Sequence, residues 1–144
     1  MKTDLRKILS VSGEPGLFMY ISQAAHGAIL ESIVTNKRSM FGLSAKMTSL
    51  ADISIFTTSD EVKLADVFEN MHKILGENDA PLGKSDAKIL KEFFEKALPE
   101  YDKDRFYASH MKKVVDWYNL LKNYASLDFE SEGQGEANEQ QANS

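Results

Sequence analysis

Three histidines, His26, His72 and His110, are the first side chains to test for chemistry. A metal centre or an acid–base site needs several convergent groups. None of the three has a second His, Asp or Glu four residues downstream. His72 follows Glu69 by three residues, a common helix-surface pair. His26 falls in a turn and reads as solvated. His110 falls on an apolar helix stripe and reads as a partly buried structural residue. The carboxylate pairs Glu92/Glu95 and Asp102/Asp104 sit on solvent faces or caps, with no apolar setting to raise a pKa. Gly13-Glu14-Pro15-Gly16 lacks the Gly-Lys-Ser/Thr of a phosphate loop and the glycine spacing of a dinucleotide turn. It leads into a strand, so it reads as a turn with Gly16 at the position that needs positive φ. The chain has no cysteine, hence no thiol nucleophile, zinc–thiolate site or disulfide. These residues argue against an enzyme, and they imply no metal and no cofactor.

Binding chemistry has more to work with. The net charge is −5, but residues 1–50 carry +3, residues 51–129 carry −4 and residues 130–144 carry −4. The mildly basic first part allows an anionic partner without demanding one. Lys37, Arg38 and Lys46 are its candidate binding residues, sharing a surface with Lys2, Arg6 or Lys7. Phe18, Tyr20 and Phe41 would add stacking if exposed, but a β unit this small needs large side chains for its core. A second basic–aromatic mixture runs from Arg105 to Lys113. Arg105 and Lys112 fall on the outer side of that helix, while its aromatics fall inside, where they serve packing.

The elements that must hold these residues follow from the periodicities. Thr3-Asp4 caps a short helix with Leu5, Ile8 and Leu9 on one side. Strands are expected at Leu17–Ile21, Ala28–Val34, Arg38–Leu43 and Ile53–Thr57, with a connection over 44–52 that has room for a helical turn. Short strands and tight turns describe an antiparallel meander that can curl into a small barrel. At Thr58 the period changes. Thr58-Ser59-Asp60-Glu61 matches a capping box, and Leu64, Val67, Phe68, Met71, Ile74 and Leu75 recur at helical spacing up to Gly76. A second helix runs from Ser85 to Pro99, and a third starts near Asp102–Asp104. The inner stripe of that third helix contains Phe106, Tyr107, His110, Met111, Val114, Trp117, Tyr118 and Leu121. Trp117 is expected to be largely buried, so that Trp117→Ala would cost about 3–5 kcal/mol. Residues 130–144 have no Val, Ile, Leu, Phe, Trp or Tyr and read as a disordered acidic tail. No apolar run approaches the ~20 residues of a membrane span. The absence of cysteine fits a reducing compartment, so the cytoplasm is expected.

The segments Lys7–Phe18 (KILSVSGEPGLF), Ser49–Thr57 (SLADISIFT) and Tyr107–Leu121 (YASHMKKVVDWYNLL) resemble a family of bacterial proteins whose domains are of unknown function. The likeness spans about residues 2–125. It implies a small SH3-like β domain joined to a helical domain, in a bacterial cytosolic setting, and it carries no assigned activity or functional residues. Composition, pattern and resemblance together give an α+β chain. It has a small antiparallel β domain over 1–57, a three-helix domain over 58–129 and a free tail over 130–144. The expected role is a non-catalytic binding or protein-interaction module. The alternative is a nucleic-acid (RNA)-associated protein using the basic β face.

Overall fold

A computed structural model describes residues 3–129. The tail expected over 130–144, and Lys2, lie outside the described residues. The architecture is α+β: a five-stranded antiparallel sheet is followed by a two-stranded hairpin and three helices. The sheet strands are β1 (Ile8–Val11), β2 (Phe18–Ala24), β3 (Gly27–Ser32), β4 (Arg38–Gly42) and β5 (Met47–Ser49). Their order is β4-β3-β2-β1-β5, so the last strand returns beside the first and β4 and β5 form the two edges.

The start of the chain differs from expectation. Asp4 caps a single 3₁₀ turn, Leu5–Lys7, by accepting from the Arg6 N–H at 3.0 Å. The backbone then extends into β1, placed between β2 and β5. A strand sends successive side chains to opposite faces. Ile8 therefore enters the main core, whereas Leu9 joins Val11 in a smaller cluster, instead of sharing one helical side. That smaller cluster takes Phe41 from one edge strand and Met47 from the other, around Leu30. Side chains from both edges meeting in one cluster means that the sheet curls around it. Phe18 and Phe41 meet edge to face there, with ring centroids 5.2 Å apart. The connection expected over 44–52 contains β5 as well as a 3₁₀ turn, Leu50–Asp52.

The fourth expected strand exists but leaves the meander. It is β6 (Ser54–Phe56), paired with β7 (Glu61–Lys63) as a separate hairpin. The Thr58–Glu61 capping box is not used. Thr57 instead closes the hairpin turn: its hydroxyl donates to the Asp60 carbonyl and accepts from the Asp60 N–H, both at 2.9 Å. Thr57 bonds the backbone through a short polar side chain, and here that local bonding favours the turn over a helix start. The expected boundary at 57/58 thus falls inside a hairpin. Helix α1 (Leu64–Leu75) begins only after β7 and ends, as the sequence indicates, at Gly76 with φ +60.

Helices α2 (Ala87–Ala97) and α3 (Ala108–Tyr124) complete the fold. One core joins sheet and helices: Ile8, Leu17 and Leu50 belong to the same buried cluster as Phe68, Met71, Phe94 and Tyr118. The outward polar residues of α3 also act as fasteners. Asn119 accepts from the Ala80 N–H at 2.8 Å and donates to the Ala80 carbonyl at 3.1 Å. Asp116 accepts from the Gly83 N–H at 3.0 Å, and Lys122 donates to Asp79 at 3.0 Å. These three side chains, each three residues after the last, fix the loop 77–84 that joins α1 to α2. Gly83 lies so close to Asp116 that a Cβ there would overlap the carboxylate. Asn119→Ala, which leaves both backbone groups of nearly buried Ala80 unpaired, should lower stability by about 1–3 kcal/mol. Urea unfolding measures this, and a change below the noise of the method would show that the loop holds without Asn119.

Candidate functional site

Helix α3 begins later than Asp102–Asp104 because Asp102 starts a local turn first. Its side chain accepts from the Asp104 N–H at 2.9 Å, and its carbonyl accepts from the Phe106 N–H at 2.8 Å. The helix then starts at Ala108, where the His110 Nδ1 accepts from the Tyr107 N–H at 3.1 Å. This bond requires Nδ1 to be unprotonated, so Nε2 carries the ring proton and is the free donor. His110 and Tyr107 are both exposed, Tyr107 by 54%, and the expected inner stripe is narrower than the periodicity suggests. Val115 is buried in their stead.

Trp117 is half-buried, in contrast to the expected full burial. One side of it packs on the main core and the other faces a groove of about 330 Å³ between β6 and α3. The wall from β6 is Ile53 to Phe56. The wall from α3 is the i, i+3, i+4, i+7 stripe His110, Lys113, Val114 and Trp117, with Phe106 and Arg105 closing the end. Apolar surface dominates the lining. None of the groove residues is a carboxylate, although the chain as a whole has 22 Asp and Glu against 17 Lys and Arg.

Arg105 is held in place twice. Its guanidinium lies 4.3 Å from the Phe56 ring centroid, and its Nε donates to Asp102 at 2.8 Å. Such a cation–π contact at an exposed site contributes roughly 0.5–1 kcal/mol. The Asp104 N–H, together with Arg105, holds the Asp102 carboxyl below the usual carboxylate range. Behind this corner, burial and then the charge of Glu95 push the Tyr101 hydroxyl up.

Of the candidate basic residues, Lys7 lines a recess together with Asp4 and Glu31, the ion-pair partners of Arg6 and Arg38. Lys37 lies in the turn before β4, and Arg38 donates from the first residue of that edge strand to Glu31 at 3.0 Å. Lys46 precedes β5, on the opposite edge. Arg6, from the candidate N-terminal set, is paired with Asp4. Arg105 belongs to the groove, whereas Lys112 is exposed on α3 one residue away from the lining stripe. Sequence reasoning missed Lys113. The available signal was a lysine set among apolar residues on a lining stripe. The recess that Lys7 lines, of about 390 Å³, lies between the start of the chain, β2–β3 and the end of α3. Both of its carboxylates, Asp4 and Glu31, are engaged, by Arg6 and Arg38 respectively. Among the described residues no group of three or more His, Asp or Glu is placed to hold a metal ion, and no helix is long and apolar enough to cross a membrane.

Two family models match the chain, both for domains of unknown function: DUF5606 over residues 5–50 and DUF6852 over residues 53–121. Among curated proteins none matches significantly. A solution NMR structure of a structural-genomics target from Bacteroides vulgatus is 37% identical to the chain. It superposes with a TM-score of 0.71, covering 83% of this chain and 87% of that one. The chain belongs to the family of that bacterial protein. The two matched segments divide where the sheet region ends and the β6 region begins, and the groove lies wholly within the second.

The lowered Asp102 value gives a pH dependence. A carboxylate whose pKa is depressed on folding adds stability that is present above its unfolded pKa of about 3.9 and is lost as pH falls through the folded value. The thermal midpoints of wild type and Asp102→Asn should therefore converge as pH drops from 6 to below about 4. A difference that stays constant over that range would mean that the Asp102 charge is not used.

Proposed function

We propose that the protein is a non-catalytic interaction module that holds a partner protein in the groove between β6 and α3. The observation that carries this reading is the half-exposed Trp117 set in an apolar lining at the surface. Buried aromatic anchors in small pockets supply much of the energy at protein interfaces. The volume, about 330 Å³, suits one or two anchoring side chains. The polar groups at the groove are cations and a histidine whose Nδ1 serves the helix start, a set suited to recognition more than to proton transfer.

The strand order β4-β3-β2-β1-β5 supports reading the first unit as SH3-like, with β5 closing beside β1. The cysteine-free composition supports a cytoplasmic setting. The alternative, nucleic-acid association through Lys37, Arg38 and Lys46, has thinner support. Arg38 is engaged by Glu31, and Arg6 by Asp4.

Filling the groove tests the proposal. Ser54 is partly exposed on the β6 wall, where tyrosine suits a strand. Immobilised wild-type protein should retain a partner from nuclease-treated lysate of the native cell, and Ser54→Tyr of equal thermal midpoint should not. Equal retention by both proteins would remove the groove from the account. Retention that disappears on nuclease treatment would favour the nucleic-acid alternative.

A further inference from the structure

Building on the groove reading, we infer that the segment it accepts is acidic: an apolar or aromatic anchor flanked by Asp or Glu on an otherwise folded or extended partner protein. Three observations support this. The groove lining contains Arg105, His110 and Lys113 and no carboxylate, in a chain whose net charge is −5. With no carboxylate in the lining itself, an anionic segment meets less repulsion there than on the acid-bearing surface around it, although Arg105 shares its charge with Asp102. Secondly, Lys113 has no carboxylate partner among the described residues, so its charge is available to a ligand. Arg105 is fixed over Phe56 by Asp102, which orients its fork without burying it. Thirdly, the His110 Nε2–H is a further donor at the same rim, since Nδ1 is taken by the Tyr107 N–H.

Two occupants meet the charge condition: a partner segment, or this chain's own residues 130–144. The own segment carries Glu130, Glu132, Glu136 and Glu139 and no base. Fifteen residues at up to ~3.3 Å each have a contour length of about 50 Å. It has no Val, Ile, Leu, Phe, Trp or Tyr, however, and so nothing to place against Ile53, Val114 and Trp117. Apolar matching therefore selects a partner that has both anchor and acid.

Trp117 is the chain's single tryptophan, so its emission reports the groove directly. The probes are three short synthetic peptides with one Leu-Phe centre, flanked by Glu, by Gln or by Lys. In the full-length protein the Glu-flanked peptide should shift Trp117 emission to the blue and bind at least about tenfold more tightly than the Gln-flanked one. That advantage should shrink with added salt, as screening of exposed charges requires. The doubly neutralised Arg105→Gln/Lys113→Gln protein should bind the Glu- and Gln-flanked peptides equally. If the Gln- or Lys-flanked peptide binds as tightly as the Glu-flanked one, the acidic specificity is wrong while the groove remains a binding site. If no peptide shifts Trp117, the inference falls, and the Ser54→Tyr capture experiment decides separately whether the groove reading falls with it. A full-length variant with the four tail glutamates changed to Gln keeps the own-segment occupant distinct. Tighter peptide binding and red-shifted free emission in that variant would overturn the partner in favour of residues 130–144. Unchanged values support the partner.

Discussion

The backbone seam between the β6–β7 hairpin and the start of the third helical segment is the constraint on which the site depends. Thr57 and Tyr101 form an antiparallel bridge. The Thr58 N–H donates to the Glu100 carbonyl at 2.9 Å, and the Asp102 N–H donates to the Phe56 carbonyl at 2.9 Å. On the other flank the Leu64 N–H donates to the Ile53 carbonyl at 3.0 Å. A lone two-stranded hairpin is marginal in water. Here it gains hydrogen bonds on its second edge and buries Ile55 in the main core. The seam fixes Phe56 under Arg105, and it fixes where α3 can begin. Without it the β6 wall would have no set distance from Lys113 and Trp117.

The main core continues this constraint into the rest of the molecule. Leu5, Ile8, Leu17 and Leu50 come from the sheet region, and Val67, Met71, Tyr118 and Leu121 from the helices, yet they form one buried cluster. The sheet therefore supports the helices that carry the groove instead of hanging from them as a separate bead. The polar fasteners on α3 add a second restraint on the opposite side, where Asp116 and Asn119 hold the loop before α2. Around α3 the packing face lies between the side that holds the loop and the stripe that lines the groove.

Much of the fold was legible in the sequence. The α+β class, three of the sheet strands, the three helices and the Gly76 cap follow from periodicity and turn chemistry. The misreadings have specific causes. Leu5, Ile8 and Leu9 fit a helical spacing over too few residues to exclude a strand, and the strand won because β2 and β5 supplied partners on both sides. Thr58 to Glu61 matched a capping box by spacing, but Thr57 could satisfy the turn locally and the Thr58 N–H found Glu100, a partner more than forty residues away. The same long-range origin hid the groove. Its walls come from two segments about fifty residues apart, and neither alone exposes an unusual pattern. Of the candidate binding residues, Arg105 falls in the groove. Lys113 stands at the end of the basic–aromatic mixture that starts at Arg105, and its stripe neighbours Val114 and Trp117 are what mark it as a lining residue.

If the seam is what holds the site, its amides must exchange with solvent only when the whole core opens. Native-state hydrogen exchange of the Thr58 and Asp102 amides, compared with those of Met71 and Tyr118 in the core helices, is the direct measurement. Matching opening free energies are expected for all four, because hairpin, seam and core form one cooperative unit. Rapid exchange at Thr58 and Asp102 beside full protection at Met71 and Tyr118 would contradict it, since the groove wall would then open independently of the fold.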